Sequence, residues 1–259
     1  MTQMVNIVIP AWNNFDFLKE CLESIPKACQ DNSFFITIVD NGSDKDKADT
    51  FYGYLEDQKD HVYVQRNHTN LGFPIACNIG AKRKACPLIF LLNADIVLEE
   101  NSIDKMINTM DDPDVGVVGM KLLFSEDSPH GPAGRIQHAG LAMNITGKPY
   151  HLFIGWHSDH PKVESMDEAW AVTGAALMTR RSIWNKVDGL NEDYGKGTYE
   201  DLDYCLTASD LGYKIKLNTD AVGTHYVGHS GQQFPLNQNY QIFMNKWGRK
   251  IKWNEWKYL

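Results

Sequence analysis

Residues 88–95 read Leu-Ile-Phe-Leu-Leu-Asn-Ala-Asp: five apolar residues that stop on an amide and a carboxylate. A short apolar run without alternation is a strand buried on both faces, as in a parallel sheet. Asp95 then sits just past the strand, in a crevice and not in the core. Working outward, Val5–Pro10 is another short apolar run, and Phe34–Asp40 is β-branched and apolar. The latter ends in Asn41-Gly42-Ser43-Asp44, a turn with Asx and glycine chemistry. His61–Gln65 is a brief strand and Val115–Met120 a further one. Helical segments are expected at Asn14–Ile25, Lys45–Leu55, Phe73–Ala85 and Ile103–Met110. Strands alternating with helices predict an α/β fold with a mainly parallel sheet covered on both faces. Ligands bind such sheets beyond the carboxyl ends of the strands, where Pro10, Asp40 and Asn93–Asp95 fall.

The alternation breaks after Lys121. Residues 125–170 are rich in Gly, Pro and His and read as an excursion or a small antiparallel patch. Ala171–Arg180 is small and apolar, and Arg181–Val187 is a short helix. With 259 residues and 43% hydrophobic content, the chain can bury one large core. No stretch approaches the ~20 apolar residues of a membrane span. The N-terminus lacks a basic region and a small-residue cleavage site and reads as a first strand. Five cysteines without Cys-x-x-Cys spacing point to a reducing compartment, hence a cytoplasmic location, and away from structural zinc. A net charge of −8 gives no general attraction to nucleic acid or anionic lipid.

Asp95 at a strand end suits a cation that bridges two phosphates, which needs only one or two carboxylates; capping the next turn is the alternative. Asp40 could accept from a nucleobase or ribose while also serving its Asx turn. Asn70-Leu71-Gly72-Phe73 opens a helix whose N-terminus favours phosphate and whose glycine permits close approach. Glu200, Asp201 and Asp203 open another helix, at Gly197-Thr198-Tyr199-Glu200-Asp201-Leu202-Asp203. Acids there complement the helix dipole, yet a glycine-rich approach leads straight into them, as a general base near a substrate would require. His225 follows a strand-like segment, with His229 four residues on. Neutral imidazole suits Mn²⁺ better than Mg²⁺, and His229 could instead touch phosphate.

Together these segments resemble the inverting family-2 glycosyltransferases, in particular a rhamnosyltransferase-like branch. The resemblance runs in order through VNIVIPAWNN, ITIVDNGSDKD, NLGFPIACNIGAKRKACPLIFLLNADIVL, RIQHAGLAMNITGKPYHL, AVTGAALMTRRSIWNKVDGLNEDY and YEDLDYCLTASDLGYKIKLNTDAVGTH. It covers about residues 4–247 and implies a GT-A fold: a Rossmann-like, mainly parallel sheet with a small antiparallel or irregular acceptor-side region. The domain would span 1–238, with 1–121 binding nucleotide sugar and 122–238 the acceptor, before a helical aromatic-basic tail at 239–259. The resemblance implies that Pro10, Ala11, Asn13, Asp40, Asn70, Gly72, Phe73, Asn78, Asn93 and Ala94 form the nucleotide pocket. Thr173, Gly174 and Ala175 would border sugar and acceptor. Asp201 would be the base, assisted by Glu200, and Asp95 and His225 would hold a divalent metal, Mn²⁺ or Mg²⁺. One departure is Asn93, which replaces the first acid of the family's D-x-D motif and contributes no charge.

The implied reaction moves a sugar from a nucleoside diphosphate, UDP or dTDP by family, to a carbohydrate or glycoconjugate acceptor. The rival is a catalytically silent sugar-binding or scaffold module. A nucleotidyltransferase would need a glycine- and basic-rich phosphate loop that Pro10-Ala11-Trp12-Asn13 does not supply, and a glycoside hydrolase has no use for nucleotide-type strand ends. In the tail, Tyr240, Phe243, Met244, Trp247 and Ile251 share one helical face, an ordinary packing stripe. Trp253 and Trp256 lie opposite among lysines. Lys246–Leu259 could therefore serve as an acceptor platform, a peripheral membrane anchor or a contact for a modified nucleic-acid acceptor.

Overall fold

The structure, a computed structural model, describes residues 3–56, 61–226, 236–251, 254, 257 and 258. In chain order the elements are β1 (Met4–Ala11), α1 (Phe15–Ala28), β2 (Ser33–Asp40), α2 (Lys45–Leu55), β3 (Val62–Arg66), α3 (Phe73–Ala81), β4 (Leu88–Leu92) and β5 (Ile96–Leu98). There follow α4 (Ser102–Thr109), β6 (Val115–Phe124), β7 (Ile136–His138), β8 (Leu141–Met143), β9 (Pro149–His151) and α5 (Pro161–Glu164). The last are β10 (Ala176–Arg180), α6 (Arg181–Val187), α7 (Glu200–Asp210), β11 (Lys214–His225) and α8 (Leu236–Trp247).

The main sheet runs β3-β2-β1-β4-β10-β6-β11-β5, with β7 added on β6. β1 pairs in parallel with β2 and β4, β2 with β3, and β11 with β6. β10, β5 and β7 run against their neighbours. The sheet is thus parallel from β3 to β4, as the alternation predicts, and mixed beyond β4. Its two faces carry separate cores. Val5, Ile7 and Ile9 of β1 and Leu88, Phe90 and Leu92 of β4 face α1, α2 and α4. Val8, Ile89 and Leu91 face the side of α3, α6, α7 and α8. This is the period-two alternation of a strand covered on both sides. On α1, buried Phe15, Leu18, Leu22 and Ile25 recur at three- and four-residue steps, one stripe of a helix packed on the sheet.

Several expectations shift. Helix α3 stops at Ala81, four residues early; it lies close on the sheet because a Cβ on Gly80 would come within 2.4 Å of Val8 Cγ1. The β6 strand extends to Phe124, and β5, too short to show a pattern, closes the far edge against β11. The excursion at 125–170 supplies β7, the two-stranded β8–β9 sheet and a four-residue helix. The small apolar segment at 171–180 becomes β10, hydrogen-bonded between β4 and β6.

Helix α8 begins at Leu236 and so crosses the expected boundary at 238/239. Its Phe243 and Trp247 are buried in the second core, with Met244 and Ile251 packed against it. Lys246 pairs with Asp203 at 2.6 Å, Lys250 pairs with Asp210, and buried Asn254 clamps Met143 through both backbone groups. Lys246 of α8 and Lys250 just beyond it thus have partners within the chain. Trp253, Trp256, Lys252 and His229 lie outside the described residues. No helix among the described residues is long and apolar enough to cross a membrane.

Candidate active site

The antiparallel insertion of β10 builds the site. Its neighbour β4, and β1 beyond it, end at the same edge, and because β10 runs the other way, its entry, Thr173-Gly174-Ala175, arrives where they finish. Ala176 pairs with Leu92 and the N–H of Asn93 donates to the Ala175 carbonyl at 2.8 Å. The carboxyl end of β11 delivers His225 there too, opposite Ile96. A cavity of about 510 Å³ opens at this edge. Its wall includes Pro10, Ala11, Phe73, Asn93, Ala94, Asp95, Thr173, Gly174, Ala175, Glu200, Asp201 and His225.

Asp95 Oδ1 lies 3.3 Å from His225 Nε2, and Asn93 Nδ2 is 3.5 Å from the same nitrogen. The other ring nitrogen faces Gln137 Oε1 at 3.4 Å. A second group of carboxylates opens α7. Asp201 Oδ2 accepts from the Gly174 N–H at 2.9 Å and Oδ1 from the Leu202 N–H at 2.7 Å. Burial pushes the Asp201 carboxyl up, while these amides pull it down. Glu200 is 5% exposed, and its Oε2 has no hydrogen-bond partner among the described residues. Burial, then the neighbouring Asp201, drives Glu200 well above the usual carboxylate range. Of the two, Asp201, with its amide donors, is the more readily ionised, and Glu200 holds its proton more tightly. Asp203 is turned away: 2% exposed, it accepts from Trp247 Nε1 at 2.5 Å and ties α7 to α8.

Five expected pocket residues do not reach the cavity wall. Asp40 is fully buried, held by the Ser43 N–H at 2.9 Å, by Arg66 at 3.3 Å and by the Tyr52 hydroxyl. Strand alternation explains the miss: Asp40 faces inward, and the next residue, Asn41, reaches the cavity. Asn70 accepts from Asn41 Nδ2 and from the Gly72 N–H, both at 3.0 Å, and so braces that residue from behind. Asn13 accepts from the Asp44 N–H at 2.8 Å. Asn78 bonds both backbone groups of Leu190 and reaches Glu192 at 3.0 Å. Gly72, at φ +93°, passes so close to the Gly195 carbonyl that an added Cβ would stand 2.0 Å from its oxygen. These residues shape the walls from one layer back.

The cavity also holds residues the sequence reading missed: Trp12, Asn41, Gln137, Tyr150, His151 and Lys196. Trp12 and Asn41 directly follow strand ends, so the strand-end rule applied one residue further would have found them. Gln137, Tyr150 and His151 come from the aperiodic segment, where no pattern marks them.

The sequence profile of Glycosyl transferase family 2 matches residues 6–185. The chain belongs to this family. Family-2 relatives include the uncharacterized protein y4gI of Sinorhizobium fredii (strain NBRC 101917 / NGR234), 30% identical over 217 residues, covering 82% of this chain and 23% of that one. The O-antigen biosynthesis protein RfbC of Myxococcus xanthus is 26% identical over 230 residues, 85% of this chain and 16% of that one. The chain thus spans less than a quarter of either relative. Among solved structures, GalNAc-T7 with UDP, GalNAc and Mn²⁺ superposes with a TM-score of 0.69 at 14% identity, over 87% of this chain and 44% of that one. The family-2 domain therefore has the GT-A fold.

Proposed function

We propose that this domain is an inverting glycosyltransferase that moves a sugar from a nucleoside diphosphate to an acceptor hydroxyl. The observation that carries the reading is the pairing of two chemistries across one cavity. Asp201, pinned by the Gly174 amide at 2.9 Å, is the base; the Asp95–His225 pair, 3.3 Å apart, is the diphosphate end. Asp201 takes the proton from the acceptor hydroxyl as that oxygen attacks the anomeric carbon, and the bond from that carbon to the diphosphate breaks on the opposite face. Protonated Glu200 needs no counter-charge and offers a hydrogen bond to a bound oxygen. The rest is positioning of two substrates by rigid strand ends.

The donor set fits a divalent cation. The Asp95 carboxylate and the His225 imidazole, 3.3 Å apart, are close enough that both would hold one ion. No cluster of three or more His, Cys, Asp or Glu suited to a metal occurs among the described residues. Asp95 and His225 would therefore share the ion with diphosphate and water, and the uncharged Asn93 would add only a hydrogen bond. When bound, such an ion supplies Lewis-acid neutralisation of the leaving diphosphate. The Mn²⁺ and UDP in GalNAc-T7 support this reading and favour a uridine donor. The relative concerned with O-antigen biosynthesis supports a saccharide chain as acceptor.

The test is release of nucleoside diphosphate from a panel of UDP-, dTDP- and GDP-sugars with Mn²⁺, Mg²⁺ or EDTA, accompanied by donor-binding titrations. Turnover of one donor that is lost with EDTA and in Asp95→Ala is expected. A wild-type protein that binds and turns over none of them would instead be a silent sugar-binding or scaffold module.

A further inference from the structure

Two histidines remain unused by this mechanism. His138 ends β7 and is fully buried. Its Nε2 accepts from two backbone N–H groups, of Gly140 and of Thr173, each at 3.3 Å. Its Nδ1 lies 2.8 Å from Nδ1 of His151, which ends β9, with the rings edge-on at 79°. His151 is half-buried and lines the cavity.

This arrangement fixes where the hydrogens are. Two amide donors converge on His138 Nε2, so that nitrogen is a lone pair and the neutral ring carries its hydrogen on Nδ1. That hydrogen donates to His151 Nδ1, which must also be a lone pair. The hydrogen of His151 is therefore on Nε2. A further proton on His151 would set two N–H groups head to head across 2.8 Å; one on His138 would displace its amide donors. Burial first, then nearby His225, pushes His151 down to about 4, so both rings are neutral at ordinary pH. His151 Nε2–H has no hydrogen-bond partner among the described residues.

The position of the pair points to its ligand. His138 holds the amide of Thr173, and Asp201 holds the next amide, Gly174. The donor of His151 is thus anchored to the same backbone that fixes the base, on the side of the cavity contributed by β9. The molecule that must reach Asp201 is the acceptor. A neutral donor serves a neutral oxygen in a half-buried site without the cost of burying a charge.

We propose that His151, locked by His138 as its Nε2–H form, donates to a hydroxyl oxygen of the acceptor saccharide and sets acceptor specificity. This rests on the glycosyltransferase reading above. Two measurements test it. Long-range ¹H–¹⁵N imidazole spectra, assigned with His138→Gln and His151→Gln, should show His138 as Nδ1–H and His151 as Nε2–H, neither titrating between about pH 5.5 and 8. A titrating ring or the opposite tautomers would overturn the lock. Acceptor kinetics should show KM for acceptor raised about tenfold in His151→Phe, with a smaller change in donor KM. His151→Gln, which can both accept from His138 and donate onward, should recover most of the loss. Transfer with an unchanged acceptor KM in His151→Phe would sink the role of His151 alone, and so would a rise confined to donor KM. Failure of the wild type to transfer any sugar would remove the reading of the whole site.

Discussion

Asn239→Ala isolates how α8 supports the start of α7, which carries Glu200 and Asp201. Asn239 is 1% exposed, and its Nδ2 lies 2.9 Å from the Tyr194 carbonyl, 2.6 Å from that of Gly197 and 3.1 Å from Thr198 Oγ1. The loop it grips is strained: Thr198 has φ 81° and Tyr199 φ 71°, both left-handed without being glycine, immediately before Glu200 and Asp201. Such residues cost of order 1–3 kcal/mol each and persist only where the surroundings hold them. Alanine removes both amide hydrogens: the Tyr194 carbonyl keeps the Gly197 N–H at 3.1 Å, but the buried Gly197 carbonyl loses its partner, at about 1–3 kcal/mol. A net loss of about 2 kcal/mol is expected after water partly replaces the amide, or roughly 4–8 °C in Tm for a domain of this size. Thermal and urea unfolding would measure it. At a temperature where the variant is still folded, donor turnover should fall through kcat, because relaxation of Thr198 and Tyr199 lets Asp201 leave Gly174. Asn239→Asp separates donation from volume: it keeps the shape, has no hydrogens to give, and turns carboxylate oxygens on the carbonyls. It should be at least as destabilised as alanine. An aspartate variant as stable as wild type would refute the reasoning.

Asp201→Asn should keep the fold, since the amide oxygen can still accept from Gly174, and should lose about 10²-fold or more in transfer with donor binding intact; full activity would remove Asp201 as the base. Glu200 titrates above the usual carboxylate range, so the folded state holds its proton where the unfolded chain has lost it. Its contribution to stability is therefore complete at acid pH and declines as pH rises from the ordinary carboxylate pKa toward the raised one, by up to about 1.4 kcal/mol per pH unit. Against wild type, Glu200→Gln should gain relative stability over that window, and a pH-independent difference in urea midpoints would contradict the protonated assignment. Gly72→Ala forces a Cβ to 2.0 Å from the Gly195 carbonyl at φ +93°. It should destabilise by more than the ~1 kcal/mol that an unstrained glycine-to-alanine replacement adds to stability and detach the 195–197 loop, seen as faster proteolysis there; a soluble variant with unchanged Tm would rule out that contact.

The parts of the site legible in the sequence were those that end regular strands. Asp95 follows five apolar residues and could only emerge at an edge, and the run Glu200-Asp201 opens a helix that the glycines before it announce. What failed was one-residue resolution. Asp40 and Asn41 both look like strand-end ligands, and only the direction of each side chain puts Asp40 against Arg66 and Asn41 at the cavity. Asp201 and Asp203 are both first-turn acids, yet the two-residue step from one to the other turns the first to Gly174 and the second to Trp247.

The order of hydrophobic and polar residues alone determined the alternating strands and helices of the first 120 residues, because a strand covered on both faces needs apolar side chains on both. It also determined, through motifs met in order, membership of the family. Tertiary structure alone decided that β10 enters between β4 and β6 against their direction. That insertion carries Thr173–Ala175 to the edge where Asp95, His225 and Asp201 gather. It decided as well that His138 and His151, thirteen residues apart in a segment without periodicity, meet at 2.8 Å. Local pattern specifies an element's own conformation. Which edge an antiparallel strand occupies, and which buried nitrogens face each other, depends on contacts that no local window of the chain contains.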